Sequence, residues 1–239
     1  MKNIALEPDA TFDELLAAAR NKFGAIKFEE VKVGDQIFEL AQIADMPAYL
    51  DKLVDKARGG KKIDLPLWAK IWPSALVLGF YALKFKAAEG ARFLEVGTDG
   101  GLCGMIAASR GYEVILADTD DDALLFARLN VSRNKLEEKI IMRKVDFAET
   151  DLKEKFNYII GCEILHRDEV VQSLPGFIAK HLVEAEDSEV LLAMDKKRGG
   201  KKFFEQAKDS YHMMRQEVPF AGNAGEGQSI VSVVRMGVK

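Results

Sequence analysis

The chain has few of the residues and patterns that mark several large classes of protein. It contains only two cysteines, Cys103 and Cys162, which lie far apart and belong to no metal-binding or redox motif. No apolar run is long enough to cross a bilayer, and the first ten residues lack the basic start and apolar run of a signal peptide. These absences argue against a metal site and a membrane protein, and we expect a soluble cytoplasmic protein.

Positive charge is also not in excess. The 34 Lys and Arg residues are outnumbered by 38 Asp and Glu residues, which gives a formal net charge of −4. This balance argues against a general electrostatic grip on nucleic acid. The hydrophobic content of 48% and the charged content of 30% are globular values. The length fits one α/β domain, which we place at 63–239, with an N-terminal extension over 1–62.

A stretch near the middle of the chain has the pattern of a nucleotide-binding unit. An apolar run at 93–96 is followed by a glycine-rich turn at 97–101 and by apolar residues at 102–107 with helical spacing. A second apolar run at 114–117 ends in Asp118. Strand, glycine turn, helix and strand ending in an acid form the first unit of a nucleotide-binding α/β domain.

Each residue type in this unit has a physical reason. Glycines allow positive φ and let a ligand approach the backbone. The first turn of the helix has free N–H groups that suit a polar ligand. Asp118 lies 23 positions after Glu95 (118 − 95), at the end of the second strand, where a carboxylate can accept both hydroxyls of a ribose. An ordinary βαβ unit with an incidental acid is the alternative.

The motif EVGTDGGLCG followed by VILAD resembles the first two motifs of the class I, seven-strand S-adenosylmethionine-dependent methyltransferases. Glu95, Gly97 and Gly101 match the first motif, and Asp99 stands where the middle glycine is expected. The turn lacks the G-x-G-x-x-G spacing of a dinucleotide fold. The resemblance implies that S-adenosyl-L-methionine contacts these residues: Glu95, Gly97, Thr98, Asp99, Gly101 and Asp118.

The resemblance also implies a doubly wound, Rossmann-like sheet of seven strands, mostly parallel with a C-terminal antiparallel hairpin. Segments 212–218 and 229–236 alternate enough for that hairpin, with 222–227 as its loop. In the extension, Thr11 caps a predicted helix that runs to 23. Alternation then predicts a β-hairpin with its turn near Gly34.

The segment 65–85 is the second informative stretch. In this segment, Pro73 begins a predicted helix. An earlier helix, ahead of the segment, is predicted to begin at Pro47 and to end at 59–60. Trp68 and Trp72, four residues apart, have the spacing of core anchors. The sequence W-P-S-A-L-V-L resembles the lysine-methyltransferase-like branch of the family, which implies that Trp72 contacts the cofactor while Trp68 is structural.

The later strands also end in candidate site residues. The run 140–145 predicts the third strand, and the family carries an acid near the adenine where Asp146 follows it. The resemblance implies that Asp146 accepts from the adenine amino group and that Phe147 supplies an apolar face. A loop acid and a core aromatic residue are the alternative. Apolar residues at 156–160 predict the fourth strand.

The residues after the fourth strand are the candidates for catalysis. The branch carries glycine, alanine, aspartate, two apolar residues and tyrosine there. Cys162 would replace the alanine beside the cofactor, Glu163 keeps the acid, and His166 stands in place of the tyrosine. For a lysine acceptor, Glu163 would attract the amine and His166 would take or relay its proton. A surface loop histidine is the alternative.

The remaining elements are a fifth strand at 183–194, a basic turn at 196–200 and a helix at 202–211. The leading hypothesis is a methyltransferase that modifies a protein lysine side chain. A small-molecule amine is the second candidate acceptor, because fold does not fix substrate. The third hypothesis is a degenerate methyltransferase fold that senses the cofactor or binds a protein. No nucleic acid or membrane partner is expected.

Overall fold

The computed structural model of the protein describes residues 3–57, 65–86, 89–198, 200–221 and 228–239. The helices in these segments are α1 (Phe12–Phe23), α2 (Met46–Lys56), α3 (Pro73–Leu83), α4 (Leu102–Ser109), α5 (Asp121–Arg133), α6 (Asp168–His181) and α7 (Lys201–Ala207). The strands are β1 (Ile26–Val33), β2 (Gln36–Ile43), β3 (Arg92–Val96), β4 (Glu113–Asp118), β5 (Ile140–Lys144), β6 (Tyr158–Cys162), β7 (Glu189–Asp195), β8 (Tyr211–Phe220) and β9 (Ser229–Val238). None of the described helices combines the length and the apolar character needed to span a membrane.

Seven strands form the central sheet, in the order β5-β4-β3-β6-β7-β9-β8. Strand β9 pairs antiparallel with both of its neighbours, while the other pairs are parallel. This is the predicted mostly parallel sheet with a C-terminal antiparallel hairpin, so the fold class is confirmed. Strands β1 and β2 form the predicted separate hairpin, with full register from Ile26 opposite Ile43 to Val33 opposite Gln36.

Both faces of the sheet are covered, because alternate residues of each inner strand point to opposite sides. Phe93 of β3 packs in one core with α1, α4, α5 and the β1-β2 hairpin. Leu94, the next residue, packs in a second core with α6 and α7. The strand order reverses between β3 and β6, and ligands of open α/β sheets bind at the carboxyl ends of the strands beside such a reversal.

Several boundaries follow the sequence signals closely. Thr11 and Glu14 form the capping box that starts α1, Pro73 is the first residue of α3, and Asp120 caps α5. The predicted end of α2 at 59–60, the domain boundary at 62/63 and the loop at 222–227 lie outside the described residues.

Four predicted element boundaries were wrong. The fourth strand begins at Tyr158, because Phe156 makes only an isolated bridge with Leu182, and it continues to Cys162. The fifth strand begins at Glu189, not at 183, and the helix predicted at 202–211 ends at Ala207. Tyr211 already pairs with β9 as the first residue of β8.

Helix α6 was missed altogether. It has a buried stripe (Val171, Leu174, Phe177, Ile178 and His181) that was readable in the sequence, but Pro175 lies inside the helix. Proline removes a backbone donor and normally marks a helix end, so its presence hid the helical spacing.

The N-terminal hairpin is fastened to α5 by two asparagines one turn apart. The Asn130 side-chain oxygen accepts from the Ala41 N–H at 2.7 Å, and its amide nitrogen donates to the Gly100 carbonyl at 2.9 Å. Asn134 accepts from the Glu39 N–H at 3.0 Å and donates to the Glu39 carbonyl at 2.9 Å. The outer edge of β2 therefore hydrogen-bonds to α5, and Asn130 links it to the glycine-rich turn.

Candidate active site at the carboxyl edge of the sheet

A hollow of about 630 Å³, which includes the open space at its mouth, lies at the carboxyl ends of β3, β4 and β6. Most of the residues predicted from the sequence as site residues line it: Trp72, Gly97, Asp99, Asp118, Phe147, Cys162, Glu163 and His166. Their convergence follows from the topology, because the carboxyl ends of neighbouring parallel strands meet at one edge.

A second hollow of about 460 Å³ adjoins the first, and Trp72, Asp99 and Cys162 line both. Two further predicted residues, Glu95 and Thr98, line only this second hollow. Its wall also includes Leu40, Ala41 and Gln42 of β2. The N-terminal extension thus contributes directly to the candidate site, which the sequence had not predicted.

The glycine-rich turn has the backbone that its sequence predicted. Gly97 and Gly101 have φ of 67° and 75°, in the left-handed region. A Cβ on Gly101 would lie 2.9 Å from Leu116, and one on Gly97 would lie 3.1 Å from Ile164. Asp99 also has a left-handed φ of 46°, an unusual conformation for a residue with a side chain. Although Gly101 lines neither hollow, it shapes the turn that does.

Glu95 is buried beneath the turn and holds the start of α4. Its Oε2 accepts from the Gly104 N–H at 2.7 Å. A Cβ on Gly104 would lie 2.7 Å from that oxygen and 2.3 Å from Leu116, so only glycine fits there. Burial raises the pKa of Glu95 to about 8, although the Gly104 N–H opposes that rise.

Asp118 ends β4 at the wall of the first hollow and is 8% exposed. Burial raises its pKa to about 6, and the Asp120 N–H, 2.9 Å from its Oδ1, partly offsets the rise. Burial also raises the pKa of Asp99 well above its usual range, and the charges of Asp118 and Glu95 add to the rise. Carboxyl groups crowded in this way favour a ligand that brings positive charge.

Glu163 follows β6 and lies against the first hollow with 6% of its surface exposed. Its Oε1 accepts from the Ser74 hydroxyl at 2.7 Å and from the Asp195 N–H at 2.8 Å. Its Oε2 is buried and has no hydrogen-bond partner among the described residues, although Arg198 Nε lies 3.4 Å away. One carboxylate oxygen therefore fixes the side chain, while the other has only the longer contact with Arg198.

Cys162 and His166 flank Glu163. Burial raises the pKa of the Cys162 thiol well above its usual range, so the thiol keeps its proton and donates to the Ser74 hydroxyl at 3.1 Å. Nδ1 of the exposed His166 lies 2.6 Å from the Glu163 carbonyl oxygen. Because a carbonyl oxygen only accepts, Nδ1 carries hydrogen. In the neutral ring, the lone pair is therefore on Nε2.

The two tryptophans have different surroundings. Trp68 is buried, with ring centroids 4.7 Å from Phe126 and 5.2 Å from Phe23, as expected for a core anchor, but it also lines both hollows. Trp72 donates from Nε1 to the Leu67 carbonyl at 3.0 Å. Its ring lies near two cations, with Lys70 Nζ at 4.9 Å and Arg198 Cζ at 4.6 Å from the centroid.

The neighbouring residues Asp146 and Phe147 have different surroundings. Phe147 is buried, lines the first hollow and packs edge-on against Phe177 at 5.1 Å. Asp146 is exposed, lines neither hollow and accepts from the Ala148 N–H at 2.8 Å. The contact of Asp146 with an adenine stays a prediction.

Three site residues escaped the sequence analysis. Ser74, the second residue of α3, bonds to both Glu163 and Cys162, and Asn130 holds the glycine-rich turn. Arg198 comes from the basic turn after β7 and reaches Trp72 and Glu163. The sequence W-P-S offered the one local signal for Ser74, because a helix start beside the site places its first polar side chain there.

Comparisons with solved structures agree on the fold. A ribosomal protein L11 methylase from Lactobacillus delbrueckii subsp. bulgaricus is similar with a TM-score of 0.51 and 19% identity, over 67% of this chain and 77% of that one. A TehB-like SAM-dependent methyltransferase from Corynebacterium glutamicum gives 0.52 and 17%, over 82% and 99%. The glycopeptide N-methyltransferase MtfA, in complex with sinefungin, gives 0.55 and 13%, over 70% and 94%.

No curated protein sequence matches the chain significantly. A family model described as lysine methyltransferase matches residues 66–210, which is more than half of the chain. The matched range contains every residue that was predicted for the site, from Trp72 to His166. The chain therefore belongs to this lysine methyltransferase family and is a class I S-adenosylmethionine-dependent methyltransferase.

Proposed function

We propose that this enzyme methylates the side-chain amine of a lysine in a protein substrate. The observation that carries the proposal is the Glu163 carboxylate at the wall of the hollow, whose buried Oε2 has no hydrogen-bond partner among the described residues. The aromatic face of Trp72 lines the same hollow. A carboxylate and an aromatic face together recognise an alkylammonium group.

The residues of the two hollows fit the donor. S-adenosylmethionine supplies an activated methyl group on a positively charged sulfur. The raised pKa values of Glu95, Asp99 and Asp118 show a site in which negative charge is destabilised by burial, and a cation would relieve that cost. Asp118 would hold the ribose, while Glu95, Asp99 and the turn would hold the amino-acid end.

The chain must also make the acceptor nitrogen reactive, because an ammonium has no lone pair. Glu163 would attract the charged amine into the hollow. His166, whose Nε2 bears the lone pair of the neutral ring, would take or relay its proton. Holding donor and acceptor in line inside a site closed to water supplies the rest of the rate.

The proposal is tested by incubating the purified enzyme with donor labelled in its methyl group and a cell lysate. We expect label in a discrete protein band and, after acid hydrolysis, in methylated lysine. Label found only in the small-molecule fraction would contradict a protein acceptor and favour a small-molecule amine. A midpoint of thermal unfolding that is unmoved by millimolar donor would contradict the donor site itself.

The donor site can be tested separately with Asp118→Ala. Loss of charge-assisted hydrogen bonds to the ribose should weaken donor binding by about 1–3 kcal/mol, or roughly 5- to 150-fold. Asp146→Ala is the matched control, because that exposed carboxylate lines neither hollow. Calorimetric titration with the demethylated form of the donor measures the affinity of both variants. An Asp118→Ala protein with unchanged affinity would remove Asp118 from the site, and a loss in Asp146→Ala would support its predicted contact with the adenine.

A further inference from the structure

Arg198 contacts both of the groups that are proposed to recognise an amine acceptor, the Trp72 ring and the Glu163 carboxylate. Its guanidinium carbon lies 4.6 Å from the centroid of the Trp72 ring. Its Nε lies 3.4 Å from Glu163 Oε2, the oxygen that has no hydrogen bond among the described residues. One cationic side chain of the enzyme thus contacts both the aromatic face and the carboxylate that would recognise an alkylammonium group.

The ion pair between Arg198 and Glu163 is loose. A guanidinium that matches a carboxylate makes short, often paired hydrogen bonds of about 2.7–2.9 Å, and the 3.4 Å contact is longer than these. The Arg198 side chain also remains 32% exposed. Displacement of the guanidinium into water therefore breaks no hydrogen bond to Glu163, while an amine could form one.

The backbone that carries Arg198 is better held than its side chain. In the helical turn Lys196–Arg198, the Lys197 N–H donates to Asp195 Oδ1 at 2.8 Å. The Lys196 ammonium donates to Glu217 at 2.7 Å. These contacts hold the turn, and neither of them involves the Arg198 side chain.

We propose that the acceptor amine binds between Trp72 and Glu163, in the place that the Arg198 guanidinium now takes, so that Arg198 must move out before an acceptor enters. The inference rests on the proposed function, because it assumes an amine acceptor. It identifies the acceptor subsite by its residues and makes Arg198 a positioning residue that competes with the substrate. Cations that do not present a slender alkyl chain would not displace it.

The first test needs no donor. Nα-acetyl-L-lysine amide serves as the probe, and its binding is followed by calorimetric titration. Arg198→Ala should bind the probe at least about fivefold more tightly than the unaltered enzyme, because the competitor is gone. Arg198→Gln, which keeps bulk but not charge, should do the same. Lys196→Ala is the control, since Lys196 lies on the same turn and contacts neither Trp72 nor Glu163.

Adding Glu163→Gln to Arg198→Ala should cancel the gain in probe affinity, because the enzyme would no longer offer a carboxylate to the probe's amine. Equal or weaker probe binding by both Arg198 variants would overturn the proposal and assign Arg198 a structural or neutralising role.

The second test makes the enzyme its own substrate. Arg198→Lys would place an amine nitrogen at about the depth of the guanidinium carbon. With donor present, that nitrogen should be methylated. The amine first loses a proton to His166 or water. Its lone pair then forms the new C–N bond as the methyl–sulfur bond breaks, and the electron pair of that bond stays on sulfur. Peptide mass spectrometry should show methyl groups at position 198, and Lys196 and Lys197 in the same peptide are internal controls.

A first-order rate constant of self-methylation that does not change with enzyme concentration would confirm transfer within one molecule. Donor binding is measured on the same sample by the shift in thermal midpoint. A normal shift with position 198 unmodified would overturn the acceptor subsite and leave the methyltransferase activity standing. Absence of any shift would contradict the donor site and the proposed function with it.

Discussion

Replacing Glu163 with glutamine should lower methyl transfer into the acceptor protein by at least about 100-fold, while donor affinity changes by less than about threefold. Glutamine keeps the shape of the side chain and an oxygen for the Ser74 hydroxyl and the Asp195 N–H, which are 2.7 and 2.8 Å from the present carboxylate. It loses the negative charge that would attract an ammonium into the hollow. Label from the donor in the acceptor band measures the rate, and calorimetry measures donor affinity.

Glu217→Gln is the matched control. Glu217 lies on β8, is solvent-exposed and pairs with Lys196 at 2.7 Å. Like Glu163, it is a glutamate that pairs with a basic residue of the turn Lys196–Arg198. It contacts no residue of the hollow, and its loss should leave transfer unchanged. Glu163→Gln with more than about a tenth of the original rate would show that the carboxylate has no part in handling the acceptor.

The second large effect concerns stability and pH. Burial raises the pKa of Glu95 from 4.5 to about 8, so the folded protein retains a proton that the unfolded chain releases above about pH 4.5. The folded state therefore binds more protons across that window, and its stability falls as pH rises from 4.5 to 8. At 1.36 kcal/mol per pH unit, Glu95 alone lowers stability by about 2–3 kcal/mol between about pH 6 and pH 8.5.

Glu95→Gln should remove that loss. Glutamine cannot ionise, and its side-chain oxygen can still accept from the Gly104 N–H. The free energy of unfolding, measured with urea at both pH values, should fall less steeply in the variant than in the unaltered protein. Asp118 contributes with the same sign, but its pKa of about 6 confines most of its effect to lower pH. Parallel pH profiles for the two proteins would contradict the burial of Glu95 as a protonated acid.

The sequence predicted the sheet and the ends of β3 and β4 well, because these depend on local patterns. Apolar runs fixed β3 and β4, and each strand ends beside a residue of the site, since a parallel sheet collects its carboxyl ends at one edge. Asp118 could be placed for that reason. Asp146 follows β5 as predicted, but it is exposed and accepts from the Ala148 N–H, so its contact with the adenine stays a prediction.

The remaining site residues depend on contacts that are distant in sequence. Arg198 lies 126 positions after Trp72 (198 − 72), and their contact depends on the turn after β7 folding over the start of α3. A basic turn is usually solvated, and no local pattern marks one that bends back over an aromatic ring. Asn130 lies on α5 among the helix's buried residues, and only the docked hairpin shows which groups it satisfies.

Asn130 also has a mechanical consequence for the N-terminal hairpin. A single buried amide satisfies the Ala41 N–H with one atom and the Gly100 carbonyl with the other. Movement of the glycine-rich turn relative to β2 would therefore break one of these two hydrogen bonds, unless the hairpin moved with the turn. Through Asn130, the position of the N-terminal hairpin constrains the shape of a turn in the family domain.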